Sequence, residues 1–252
     1  MKYITKFDTE SNYLTFRGSK DYVLPNVSYC EQEKSVKYNY IAPPPPQHNG
    51  FEYVDLGLPS GTKWATCNVG ADSETDYGLY FAWGETKGYS GYTSEKRFNW
   101  CDYELLENCT VNDKYFFPYG SGDDKTVLDL EGDAANVNMG GNWHMPSKEQ
   151  FNELIANTNS TWENNYNGSG INGRLFISKS DESKKLFIPA SGFLSDGYPV
   201  TYVGSKFIIW GNSINTSYSS LEYGITLYSD SDGSKVSEDL RYYGFCVRGV
   251  LN

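Results

Sequence analysis

The sequence predicts an α+β protein made of short antiparallel strands with one or two helices, and three observations predict it. Glycine (25), tyrosine (22), phenylalanine (13) and tryptophan (6) are abundant while methionine (3) is scarce, a palette of β-rich folds with many ordered turns. RLFIS (174–178) and KLFIP (185–189) flank a polar turn, SDESK, and read as a hairpin. Only NWHMPSKEQFNELI (142–155) carries a full helix signature. Pro146 sets the entry, Ser147 is the N-cap, and Gln150 follows three residues later as its capping-box partner. Phe151, Leu154 and Ile155 then sit at i, i+3 and i+4, one apolar stripe facing a core.

In chain order, residues 1–41 form a small module. FDTESNYLTF (7–16) offers Asp8 and Thr9 as N-caps before Tyr13, Leu14 and Phe16 at helical spacing, which predicts one short helix. Val27–Glu31 and Ser35–Tyr40 read as two strands around a charged turn. About forty residues build no stable core alone. The module is therefore expected to complete itself against a partner or a second copy, as an anchor. APPPPQHNG (42–50) follows as a semi-rigid spacer, because consecutive prolines join neither helix nor sheet. His48 is expected to be a solvated residue of that spacer.

Residues 51–252 form the second domain. FEYVDLGLPSGTKWATCNVG reads as two strands around a Pro/Gly turn, the second running through Trp64 and Cys67. DYGLYFAWGET adds an aromatic strand, and residues 88–138 are loop-rich with a short helix at Cys101–Glu107. After the central helix and the hairpin come three further strands, in KFIIWG, YGITLYS and YYGFCVRGVL. Alternation along the last places Phe245, Val247, Gly249 and Leu251 on one face and Cys246 and Arg248 on the other. Arg248 is expected to hold a carboxylate across the sheet.

A net charge of −11 and the lack of any basic run exclude a phosphate-gripping nucleic-acid or membrane surface. The N-terminal residues carry no secretory h-region and no segment suits a membrane span. The five cysteines show no CxxC spacing. Cys101 and Cys109 are near enough in sequence to pair, but free, half-buried thiols are the expectation without an export signal.

Several stretches together resemble a known family. VDLGLPSGTKWATCNVGA, DYGLYFAWGET, GNWHMPSKEQFNELI, FIPASGF and YYGFCVRGV occur in that order across residues 51–250. The pattern resembles the Fibrobacter succinogenes major paralogous domain, whose fold is held to be similar to C-type lectins and formylglycine-generating enzymes. The resemblance implies a C-type-lectin-like domain over residues 51–252. His144 stands where the family pattern usually has arginine, and IWGNS (209–213) where it often has a Trp-Ser-Ser-like stretch. The head of the chain, TKF…YVLPNVSY…VKYN, resembles N-terminal modules of virion proteins from crAss-like, Bacteroides-infecting phages.

Catalytic readings fare poorly. His144 precedes the N-cap and lies five residues from Glu149, so the two do not share a helix face as an HExxH pair would. Cys246 lies in a strand with no neighbouring cysteine, against a copper pair of the formylglycine-generating type. No GxSxG or P-loop is present. Calcium is the one metal worth weighing, at YGSGDDK (119–125), YSDSDGS (228–234) or WENN (162–165). None of the three matches a full calcium-ligand pattern, and no cofactor is expected.

Aromatic and amide residues in loops suit recognition of sugars or proteins. Trp210, Asn212, Asn215, Tyr218, Tyr228 and Tyr242 are the candidate ligand residues, whereas Trp143, Pro146, Ser147, Phe151, Leu154, Ile155 and Arg248 are structural. The expected protein is a non-enzymatic phage virion component, a head-fibre or capsid-decoration protein assembled in the host cytoplasm. Residues 1–41 would bind other virion proteins, the chain would form a homo-oligomer, and the lectin-like domain would hold host or gut glycans. A purely structural virion component and a bacterial surface adhesin are the alternatives.

Overall fold

A computed structural model describes residues 44–91, 93–106, 119, 125–217 and 221–252, together with four strands nearer the N-terminus. The chain divides into two compact units, Met1–Pro45 and Pro46–Asn252. The protein is mostly β-sheet, with two α-helices among the described residues.

The first unit holds β1 (Ile4–Asp8), β2 (Tyr13–Arg17), β3 (Val27–Cys30) and β4 (Ser35–Asn39), a sheet of order β1-β2-β4-β3 with antiparallel neighbours. Of the stretch expected as a helix, Asp8 therefore lies in one strand and Tyr13–Phe16 in another, with residues 9–12 outside the described residues. YLTFR alternates apolar and polar residues with period two, and its aromatic and β-branched content favours the pleated form over Asp8 as a cap.

The second unit begins inside the expected spacer. β5 (Gln47–His48) and β6 (Phe51–Asp55) form a hairpin. Its Asn49-Gly50 turn has φ of 50° and 84°, the type I′ geometry that right-handed strand twist prefers. His48 is thus no solvated linker residue. Its carbonyl accepts from Trp143 Nε1 at 3.0 Å and its Nε2 from the Asn142 N–H at 3.3 Å.

β7 (Lys63–Ala65) and β16 (Val250–Leu251) complete a sheet of order β16-β7-β6-β5, pairing the unit's first strands with its last. β9 (Thr158–Glu163), β10 (Gly173–Ser178) and β11 (Lys185–Pro189) form a second sheet. β10 and β11 pair from Gly173↔Pro189 to Ile177↔Lys185, the expected hairpin. A third sheet has the order β14-β13-β12-β15-β8, from β8 (Tyr80–Phe81), β12 (Lys206–Ile214), β13 (Tyr223–Asp230), β14 (Ser234–Leu240) and β15 (Phe245–Cys246). β12 and β15 run parallel and the other neighbours antiparallel.

This third sheet is the middle layer. Phe207 and Ile209 of β12, with Cys246, join one buried cluster, while Ile208, Trp210, Phe245 and Val247 join another. Helix α2 (Lys148–Asn157) covers the first face with Phe151 and Leu154, both fully buried, and half-buried Ile155 packs beside them. Ser147 Oγ accepts from the Gln150 N–H and Gln150 Oε1 from the Ser147 N–H, the complete capping box. Helix α1 (Ala134–Met139) and Trp143 belong to the other cluster. Its N-cap, Asp133, accepts from the N–H groups of Asn136 and Met145 and so locks α1 to the entry of α2. Burial pushes the Asp133 carboxyl above the usual range. The helix expected at Cys101–Glu107 is a single 3₁₀ turn at Trp100–Asp102, with Glu107 outside the described residues.

Candidate functional site

Of the six residues proposed for a ligand site, Trp210, Tyr242 and Tyr228 do not gather at one surface. Trp210 is 0% exposed, its Nε1 donating to the Phe81 carbonyl at 2.8 Å and its ring 4.5 Å from that of Phe245. Tyr242 is 8% exposed and packs edge-on against Trp100 and Tyr243. Both belong to the core and cannot meet a ligand. Tyr228 is half-buried toward the other end of β13, its hydroxyl donating to Asp230 at 2.7 Å and its ring flanked by Lys206 and Lys235. Tyr218 lies outside the described residues.

Asn212 and Asn215 do come together, and the local register explains why. β12 and β13 pair from Lys206↔Asp230 to Trp210↔Thr226, then shift so that Ile214 faces Gly224. The bulged stretch 211–213 leaves β13 and finds other partners. Asn212 N–H donates to the Pro146 carbonyl at 2.9 Å, Leu128 N–H to the Asn212 carbonyl at 2.8 Å, and Ile214 N–H to Thr126 at 2.9 Å. Gly211 permits this close approach, since a Cβ there would lie 2.9 Å from Phe151 and 3.0 Å from the Pro146 carbonyl oxygen.

The result is a groove of about 440 Å³ between the start of α2 and the bulge. Val127 and Ile214 supply apolar surface, and Lys148, Glu149, Asn212, Ser213 and Thr216 a polar rim. Asn215 Oδ1 accepts from the Ser217 N–H at 2.8 Å, so this residue shapes the turn. The Asn212 amide and the Ser213 and Thr216 hydroxyls make no hydrogen bond among the described residues. A small ligand rich in hydroxyl groups suits such a rim over an apolar floor. Sequence reasoning found the two asparagines, missed Lys148 and Val127, and weighed Glu149 only as a partner of His144; all three are far from the asparagines in the chain. The signal within reach was Gly211 interrupting KFIIWGNSI, a sign of a bulge or close backbone approach.

The remaining buried polar groups serve the scaffold. Arg248 donates to Asn68 Oδ1 at 2.9 Å and to the Ala65 and Phe187 carbonyls at 3.0 and 3.3 Å. The expected carboxylate partner is therefore replaced by one amide and two backbone acceptors. Burial draws the guanidinium down to about 10, still cationic at neutral pH. Arg241 stacks 4.5 Å over Trp83 and donates to Tyr103 Oη at 2.9 Å. Glu85 and Lys96 form a buried ion pair at 2.6 Å. His144 is pinned to Val250 of β16 by two backbone hydrogen bonds, and Glu149 is exposed.

Of the calcium candidates, the 228–234 turn uses its Asp230 carboxylate to accept from Tyr228 and from the Asp232 and Gly233 N–H groups. At residues 162–165, Asn165 Oδ1 accepts from the Gly170 N–H. Residues 120–124 lie outside the described residues. No group of three or more His, Cys, Asp or Glu among the described residues could hold a metal ion. Cys101 is disulfide-bonded, against the expectation of a free thiol, and the sulfur it joins lies outside the described residues. Cys67 and Cys246 carry free thiols, and burial pushes the Cys246 thiol up to about 12.

Asp239 of β14 gives a pH prediction. Burial lifts its carboxyl to about 6, with Glu238 adding to the rise and Thr226, Lys206 and Lys235 opposing it. The folded state then holds a proton that the unfolded chain releases near pH ~4. That stabilisation is complete below the unfolded value and is lost as pH rises through about 6. Asp239→Asn should therefore gain in Tm relative to the parent between pH 4 and 8, as measured by thermal melts. A difference in Tm that stays constant across that range would refute the assignment.

No family model, curated protein or solved structure matches the chain. Among the described residues, no helix is long and apolar enough to cross a membrane.

Proposed function

We propose that the chain is a phage virion protein, of the head-fibre or capsid-decoration type, that displays a C-type-lectin-like unit for adhesion to glycans. The groove beside Asn212 carries the adhesive half of this reading: it joins amide and hydroxyl groups that make no hydrogen bond among the described residues to an apolar floor, the lining that a sugar ring and its hydroxyls need. The virion half rests on the resemblance of the head of the chain to phage modules and on the order sheet unit, proline run, larger unit. The lectin-like reading is supported by short antiparallel strands, two helices and the capped helix α2 docked on the middle sheet. Each groove would bind weakly, and many copies on one particle would supply avidity.

The second reading, a purely structural virion component, is favoured by how many aromatics are spent inside. Trp64, Trp83, Trp143 and Trp210 are all 0% exposed. Deleting residues 1–45 separates anchoring from folding. All six tryptophans lie beyond residue 45, so the shortened chain should keep its tryptophan fluorescence while vanishing from purified particles, as scored by mass spectrometry. Its incorporation at the parent level would defeat the anchoring role.

A further inference from the structure

We infer that the N-terminal unit closes its core by packing one face of its sheet against the same face of a second copy of this chain. The inference rests on strand register and does not depend on the virion or glycan readings.

Cross-strand pairing sorts the residues of the four strands into two unlike faces. One row runs Phe7–Leu14–Tyr38–Val27, and the next row on that face runs Ile4–Phe16–Val36–Tyr29. Every position in both rows is apolar or aromatic. The row between them, on the opposite face, runs Lys6–Thr15–Lys37–Ser28, and Arg17 pairs with Ser35 beyond it. Strict alternation would put Ile4 on the polar face with Lys6 and Asp8. The register shift between Ile4 and Lys6 inserts one extra residue, Thr5, and returns Ile4 to the apolar face. A bulge that restores an apolar row is a feature of a face meant to be covered.

One layer of strands is not a stable arrangement, since an apolar sheet face must be buried against another layer. The connections within the unit offer little for this. Residues 9–12 (TESN) and 31–34 (EQEK) bring no apolar residue, residues 18–26 bring Tyr22, Val23 and Leu24, and the two ends of the unit add Met1, Tyr3, Tyr40 and Ile41, fewer large apolar residues than the eight positions on the face. A second copy offers a matching area. An aromatic residue buries roughly 150–250 Å². Phe7, Phe16, Tyr29 and Tyr38 alone therefore approach the ~800 Å² per partner of a standard stable interface. Two identical sheets stacked about 10 Å apart make an isologous sandwich, with the Lys6–Lys37 face left in water.

The test is the solution mass of the full chain, by light scattering at tens of micromolar. The parent protein should have twice the mass of one 28.4 kDa chain. Phe16→Asp, on the apolar face, should halve that mass with unchanged tryptophan fluorescence, because every tryptophan lies in the second unit. Lys37→Glu, on the polar face, should leave the dimer intact. A monomeric parent, with the face covered by its own chain, would overturn the inference. So would an assembly of another order, or a dimer that survives Phe16→Asp and is lost on Lys37→Glu.

Discussion

Replacing Arg248 with alanine is expected to destabilise the second unit on the order of 4 kcal/mol, one of the two largest effects we anticipate. Its guanidinium bonds to Ala65 of β7, to Phe187 of β11 and to Asn68, from a position between β15 and β16. One planar fork thus ties all three sheets of the unit together. Alanine would leave three buried acceptors without donors, each costing about 1–3 kcal/mol, and a void besides. Lysine would keep the charge and reach fewer acceptors, so Arg248→Lys should be intermediate. In thermal melts the alanine variant should lose roughly 10 °C. A loss of less than about 2 °C would mean that the three bonds contribute little net stability.

Trp210→Ala should cost about 3–5 kcal/mol, as truncation of a fully buried tryptophan does. Trp210 and Trp83 form a reciprocal latch. Trp210 Nε1 donates to the Phe81 carbonyl, and Trp83 Nε1 donates to the Gly211 carbonyl at 2.9 Å, each beside the other's strand. Trp210→Phe keeps most of the packing and loses one hydrogen bond, so about 1 kcal/mol is expected. Urea melts followed by circular dichroism would rank the two. The folded fraction of Trp210→Phe should bind ligands like the parent, because the indole does not reach the surface. A stable Trp210→Ala variant with altered binding would restore the ligand role first assigned to this residue.

Elements coded by neighbours in the chain were legible in the sequence. Ser147, Gln150, Phe151 and Leu154 write the start and face of α2 within a few residues, and SDESK between two apolar runs writes the β10–β11 hairpin. Burial is settled by partners far along the chain, and there the reading failed. Trp210 reads as a ligand-facing aromatic until β15 and Phe81 cover it, and Arg248 looks in need of a carboxylate until backbone carbonyls from two other sheets surround it. β14 was missed because SKVSEDL, an edge strand, keeps polar residues at most positions. The β5–β6 hairpin was legible, since Asn49-Gly50 is a strong turn signal, but the adjacent prolines drew the whole stretch into a spacer. In the first unit, Tyr13, Leu14 and Phe16 satisfy helical spacing by chance while YLTFR alternates as a strand. Of the candidate site, the asparagines were legible as amide-rich loop residues. The groove was not, because β12, the 126–128 segment and α2 meet only in the fold.

Glycan-array binding by the folded, full-length chain is the most direct test of the adhesive account. Binding to a related set of glycans is predicted, with Asn212→Ala weakening it about tenfold, the effect of losing hydrogen bonds worth about 1.4 kcal/mol. Tyr198→Ala, a change at an exposed residue outside the groove, should bind as the parent does. A blank array, or binding indifferent to Asn212→Ala, would contradict the account.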